Sequence, residues 1–177
     1  MQVQRWDVLE ITVNGPKEGN PFVEQSFEGT FVGKNETVKT TGFYDGDGVY
    51  KVRFMPSFEG EYTYTTSGSF PEAETSGRFT VTPATGNNHG PVRVAGTHHL
   101  AYEDGTPYYS VGTTCYVWPH QSDEVIAKTL KELDKGYFNK MRFCVFPKHY
   151  IHNFRDPQTF PYEGTPMDAS GLTEENF

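Results

Sequence analysis

The order strand, loop, helix, strand between Gly105 and Lys148 constrains this chain more than any other feature, because a helical crossover is the usual way two strands come to lie parallel. Pro107 to Val117 is rich in Tyr, Val and Thr and ends at Trp118-Pro119, where the proline removes a ladder donor. Gly136 to Phe146 holds the apolar run Met141 to Phe146, broken only by Arg142, which fits a strand covered on both faces. Between them Ser122 is placed to cap a helix, with Asp123 and Glu124 at its positive end. Val125, Ile126, Thr129, Leu130 and Leu133 form one apolar stripe, and Gly136 closes the helix after Lys135. The stretch 96–177 has room for about two βα units, whereas a closed (β/α)8 barrel takes about 250 residues. A TIM-type barrel, if this is one, would therefore stop early, with only its first two βα units inside the sequence.

Everything before this unit reads differently. Residues 4 to 83 contain about six short β segments with turn signals between them and no helical pattern. Trp6 to Val13 leads into NGPKEGNP, a loop by its Asn-Gly and Asn-Pro pairs. Ser26 to Val32, Thr37 to Gly42, Val49 to Met55, Gly60 to Thr66 and Gly77 to Thr82 follow as strands. Val49 to Met55 is the clearest, with Tyr50, Val52 and Phe54 alternating against Lys51 and Arg53. This predicts an immunoglobulin-like β-sandwich over residues 1–85, although the cysteine pair and core tryptophan of antibody domains are missing. Residues 86–95, beginning Gly86-Asn87-Asn88-His89-Gly90-Pro91, read as a linker in which Val92 to Ala95 could form a strand. His99 to Tyr102 with Asp104-Gly105 reads as a hairpin leading into the first strand of the α/β part, residues 96–177. After Lys148 the prolines and the lack of a sustained period suggest a long βα loop, of the kind that in compact domains is either functional or disordered.

Charge and composition exclude several classes of function. A formal net charge of −8 with no basic cluster argues against nucleic acid or an anionic membrane as partner. No stretch approaches the run of about 18 apolar residues that a membrane span needs. The N-terminus lacks the basic, apolar, small-residue order of a secretory signal, so the expected location is cytoplasmic, or secreted with a leader already removed. Cys115 and Cys144 fall in the two apolar strands, where buried free thiols are favoured over a disulfide. The 11 Tyr, 14 Phe and 2 Trp suit either a sandwich core or a sugar-binding surface.

The segments NPF at 20–22, GFYDGDGVYKVRFMPSFEGEYTYTTSG at 42–68, NNHGPV at 87–92, DGTPYYSVGTTCYVWPHQ and FNKMRFCVFPKHY resemble bacterial glycoside-hydrolase-like proteins. In these a DUF5060 domain precedes a DUF4038-type or DUF5605-associated barrel. The resemblance implies a β-sandwich ahead of a (β/α)8 barrel related to the retaining β-glycosidases, whose two catalytic Glu residues follow barrel strands four and seven. Neither strand lies in this sequence, so the chain alone is expected to be inactive. The resemblance also implies that Arg142 supports the nucleophile by a hydrogen bond; a structural ion pair with a local carboxylate is the alternative.

Barrel sites form at the C-terminal ends of the strands. By that rule the first strand presents Trp118, His120 and Gln121, and the second presents Lys148, His149, Tyr150, His152 and Asn153. An indole face stacks on sugar C–H groups, and Lys, His and Asn bond hydroxyls, so Trp118, His120, Lys148, Tyr150 and Asn153 are candidate carbohydrate contacts, with Glu163 in the long loop as another. The alternative is a Trp118 that only covers the barrel top, with histidines that are merely superficial. Asp45-Gly46-Asp47-Gly48 lacks the remaining positions of a calcium loop and reads as a tight turn. His98 and His99 point to opposite faces of a strand, so no metal and no cofactor is assigned. A non-catalytic carbohydrate- or protein-binding sandwich is the rival reading. Unfinished barrel edges could also drive association into oligomers.

Overall fold

The computed structural model describes residues 1–146, 151 and 153. The chain forms two compact units, Met1–Tyr108 and one that starts at Tyr109. Among the described residues, no helix is long and apolar enough to cross a membrane.

The first unit is built from β-strands. In chain order they are β1 (Gln2–Gln4), β2 (Leu9–Asn14), the helical turn α1 (Pro21–Glu24), β3 (Phe27–Gly33), β4 (Thr37–Thr41), β5 (Phe43–Tyr44), β6 (Val49–Phe54), β7 (Gly60–Gly68) and β8 (Ser76–Thr82). Five of them form a sheet in the order β1-β8-β7-β3-β4, and three form a second sheet, β2-β6-β5. The alternation in β6 has the predicted consequence: Tyr50, Val52 and Phe54 are buried, while Lys51 and Arg53 stand on the outer face. On that face the antiparallel register sets Glu10 opposite Arg53, and their side chains pair at 2.7 Å.

One aromatic core joins the two sheets. Phe31 of β3 stacks on Phe54 of β6 with ring centroids 4.4 Å apart, and Tyr62 of β7 stacks on Phe79 of β8 at 5.2 Å. Each such side chain contributes about 1.5–3 kcal/mol by leaving water. The hydroxyl of Tyr62 donates to Glu36 Oε1 at 2.6 Å, and the same oxygen accepts from Ser57 N at 2.9 Å. Burial in the core, and then the neighbouring Glu36 carboxylate, push the Tyr62 phenol well above its ordinary range. The Asp45–Gly48 stretch is the expected turn, with Gly46, Asp47 and Gly48 all at positive φ.

Three features of this unit depart from the sequence reading. β1 pairs in parallel with β8, a partnership between the two ends of the unit that no local pattern signals. Trp6 was expected at the start of a strand but has φ 68°, so β2 begins only at Leu9. Pro21 at the first helical position turns part of the following stretch into α1. Beyond β8, β9 (Val92–Ala95) and β10 (His99–Tyr102) pair as an antiparallel hairpin. β9 lies in the stretch read as a linker, and the hairpin belongs to the first compact unit. The segment before it is tied to the N-terminus: Asn88 Nδ2 donates to Asp7 Oδ1 at 2.9 Å and to the Arg5 carbonyl at 3.2 Å. Gly90, at φ 81°, lies against the Trp6 indole, itself covered by the Arg5 guanidinium at 3.9 Å.

The second unit contains β11 (Gly112–Thr114), a 3-10 turn (Trp118–His120), α2 (Asp123–Leu133) and β12 (Lys140–Arg142). β11 and β12 are parallel, with Gly112, Thr113 and Thr114 opposite Lys140, Met141 and Arg142. The helix begins where predicted, with Ser122 at the N-cap position and Asp123 and Glu124 in the first turn, but the Ser122 hydroxyl makes no capping bond; its carbonyl accepts from Ile126 N at 2.9 Å. Gly136, at φ 79°, follows its end.

Both strands are shorter than expected, and their late start has a physical reason. Asn139 occupies the start of the ladder: its Nδ2 donates to the Tyr109 carbonyl at 2.7 Å and its Oδ1 accepts from Val111 N at 3.0 Å. Regular pairing therefore begins only after it. The apolar run Met141 to Phe146 is also less covered than the sequence suggested, with Phe143 41% and Val145 56% exposed. On α2, Val125 and Leu130 are likewise 44% and 50% exposed.

Candidate functional site

The C-terminal ends of β11 and β12 lie side by side because the strands are parallel. The chains stay tied past the ladder: Cys115 N donates to the Arg142 carbonyl at 2.9 Å, and Cys144 N to the Tyr116 carbonyl at 2.8 Å. Cys115 and Cys144 are free and half-buried. From here Tyr116, Trp118, His120 and Gln121 follow β11, and Arg142 ends β12.

The turn Trp118–His120 owes its shape to Pro119 and to two backbone bonds, His120 N to Val117 O at 3.0 Å and Gln121 N to Trp118 O at 3.2 Å. The Trp118 ring meets Phe143 edge-on with centroids 5.6 Å apart. His120 is buried, as is Asn153. Gln121 Nε2 donates to the Val117 carbonyl at 3.2 Å and to Asn153 Oδ1 at 3.3 Å, joining two of the candidate positions. Trp118 Nε1 and His120 Nε2, by contrast, have no hydrogen-bond partner among the described residues.

Arg142 is exposed rather than enclosed in an apolar strand. Its Nη2 donates to the Tyr116 hydroxyl at 2.5 Å, and the guanidinium lies 5.1 Å from the centre of that ring. Among the described residues no carboxylate pairs with it; the ion pairs found there involve other cations. Tyr116 was not singled out from the sequence. Its link to Arg142 follows from the register Thr114 opposite Arg142, which only the folded chain reveals.

Lys148, His149, Tyr150, His152 and Glu163 lie outside the described residues. Within the described part of the second unit the carboxylates are Asp123, Glu124, Glu132 and Asp134, all exposed on α2 or its C-cap. Glycoside hydrolysis uses two carboxylates about 5 to 9.5 Å apart across the scissile bond, an arrangement these positions on a helix exterior do not form. Among the described residues no three His, Cys, Asp or Glu side chains gather as a metal ion would require. What this end of the second unit offers is an indole, an imidazole, amides and a guanidinium: groups that bind hydroxyls and anions.

Comparison with known proteins puts this geometry in context. Residues 2–69 match the family model described as a domain of unknown function, DUF5060. The chain is similar to a solved structure from Bacteroides vulgatus described as a "putative glycoside hydrolase", at 42% sequence identity and a TM-score of 0.86. The match covers 92% of this chain and 32% of that protein, so the chain spans about a third of its length. No curated protein matches the chain.

Proposed function

We propose that this chain is the N-terminal part of a glycoside hydrolase. In this reading residues 1–85 are an immunoglobulin-like sandwich of the DUF5060 kind, residues 86–95 connect, and residues 96–177 open a TIM-type barrel of the DUF4038 or DUF5605-associated kind. The observation that carries it is the parallel pairing of Gly112–Thr114 with Lys140–Arg142 through helix α2, the repeat unit from which such barrels are made. The similarity to the Bacteroides protein supports it over nearly the full chain.

Barrel enzymes work at the C-terminal face of their strands. There Trp118, His120 and Asn153, with Lys148, Tyr150 and Glu163 further along, contact the carbohydrate, and Arg142 hydrogen-bonds the nucleophilic carboxylate from below. The two catalytic carboxylates, acting by retention, are supplied by later strands outside this chain. Tyr116 holds the Arg142 guanidinium in place meanwhile.

The test is turnover of a panel of aryl glycosides by the 177-residue chain and by the chain extended through whatever its reading frame encodes after Phe177. The extended protein is expected to release the aryl group with retained anomeric configuration, and the shorter chain to release none. Turnover by the shorter chain would place the acids within it, and silence of the extended protein would remove the hydrolase reading.

A further inference from the structure

Trp118 Nε1 and His120 Nε2 are buried nitrogens without partners among the described residues, and both belong to one three-residue turn. His120 is only 8% exposed. A buried polar atom left unsatisfied costs about 1–3 kcal/mol, so two in a single turn point to a group that completes them. Gln121, the next residue, is the contrast: its amide nitrogen is already engaged by Val117 and Asn153. Phe143 braces the indole edge-on, so the Trp118 ring is positioned without the help of its own N–H.

We propose that Trp118 Nε1 and His120 Nε2 jointly seat one hydroxyl group of an uncharged sugar. This deepens the glycosidase reading and rests on it for the choice of a sugar among polyhydroxylated compounds. The chemistry of the two atoms selects the ligand. An indole N–H only donates, whereas imidazole Nε2 donates or accepts according to tautomer. A hydroxyl accepts from the indole and can either donate to or accept from the imidazole, so it satisfies both atoms in either tautomer. A carboxylate or sulfate can only accept; it would need Nε2 always protonated, and would bring a full charge into a buried turn.

The 2 tryptophans of the chain make this measurable, because each contributes one indole N–H resonance in a 15N correlation spectrum. Trp118→Phe identifies the Trp118 resonance by its disappearance. Titration of the 177-residue chain with neutral methyl hexosides and pentosides should then move that resonance saturably, while sodium acetate and sodium sulfate leave it in place. His120→Phe should weaken the binding about tenfold, the equivalent of about 1.4 kcal/mol. His120→Gln, whose amide can bond the same hydroxyl, should recover part of it. A Trp118 resonance that follows acetate or sulfate, or that no glycoside moves, overturns the proposal. Hydrolysis by the extended protein with a silent Trp118 would remove this seat and leave the hydrolase; a saturable Trp118 shift without hydrolysis would do the reverse.

Discussion

Tyr62→Phe tests how the core of the first unit is held, and it does so with a sign that depends on pH. At neutral pH the substitution removes a hydroxyl that donates to Glu36 Oε1 at 2.6 Å from a side chain only 2% exposed. A hydrogen bond to a charged acceptor is worth about 1.5–3 kcal/mol. Glu36 keeps the Ser57 amide as a donor, so the lower end, about 1.5 kcal/mol, is expected here. In alkali the balance changes. An unfolded tyrosine ionises near 10.0, whereas burial, and then Glu36, hold the folded phenol protonated well above that. A pKa raised on folding gives stability that is complete below the unfolded value and drains away as pH climbs towards the folded one. Wild type alone carries this loss at position 62, amounting to about 1.4 kcal/mol by pH 11. Tyr50, raised chiefly by burial, is common to both proteins and cancels in the difference. Urea denaturation followed by circular dichroism at pH 7 and pH 11 should show a gap near 1.5 kcal/mol that almost closes in alkali. Equal midpoints at pH 7, or a gap that widens with pH, would refute the reasoning.

Two further substitutions probe the same unit. Phe31→Ala removes a fully buried ring stacked on Phe54 and should cost about 3–5 kcal/mol in the same denaturation experiment; a loss below about 1 kcal/mol would mean the two sheets do not share this core. Gly90→Ala puts a methyl 2.7 Å from Trp6 Cδ2 at a residue with φ 81°. It should cost about 2 kcal/mol or more and shift the Trp6 emission, and an unchanged spectrum would contradict the packing of this segment on Trp6.

The parts of the fold that were readable beforehand are those whose signals are local. β6 shows itself by the alternation of Tyr50, Val52 and Phe54, and α2 by an apolar stripe bracketed between Ser122 and Gly136. What escaped depends on partners far away in sequence. β1 is three mostly polar residues whose strand character comes only from β8. Trp6 takes a left-handed conformation within a segment held by Pro56, Gly90 and Arg5, against its own strand preference. Asn139 shortens a ladder because its side chain mimics a strand backbone, which no periodicity announces. In the candidate site, the strand-end rule draws attention to Trp118 and His120 by position. It says nothing of their unsatisfied nitrogens, and the contact of Tyr116 with Arg142 needs the register of the parallel pair.

That parallel pair carries the proposed function, and NMR of the 177-residue chain examines it directly. Inter-strand proton contacts should connect Gly112, Thr113 and Thr114 with Lys140, Met141 and Arg142 in ascending order, with slowed exchange of the Cys115 and Cys144 amides. Contacts in descending order, or none between the two segments, would contradict a βαβ unit and with it the glycosidase reading.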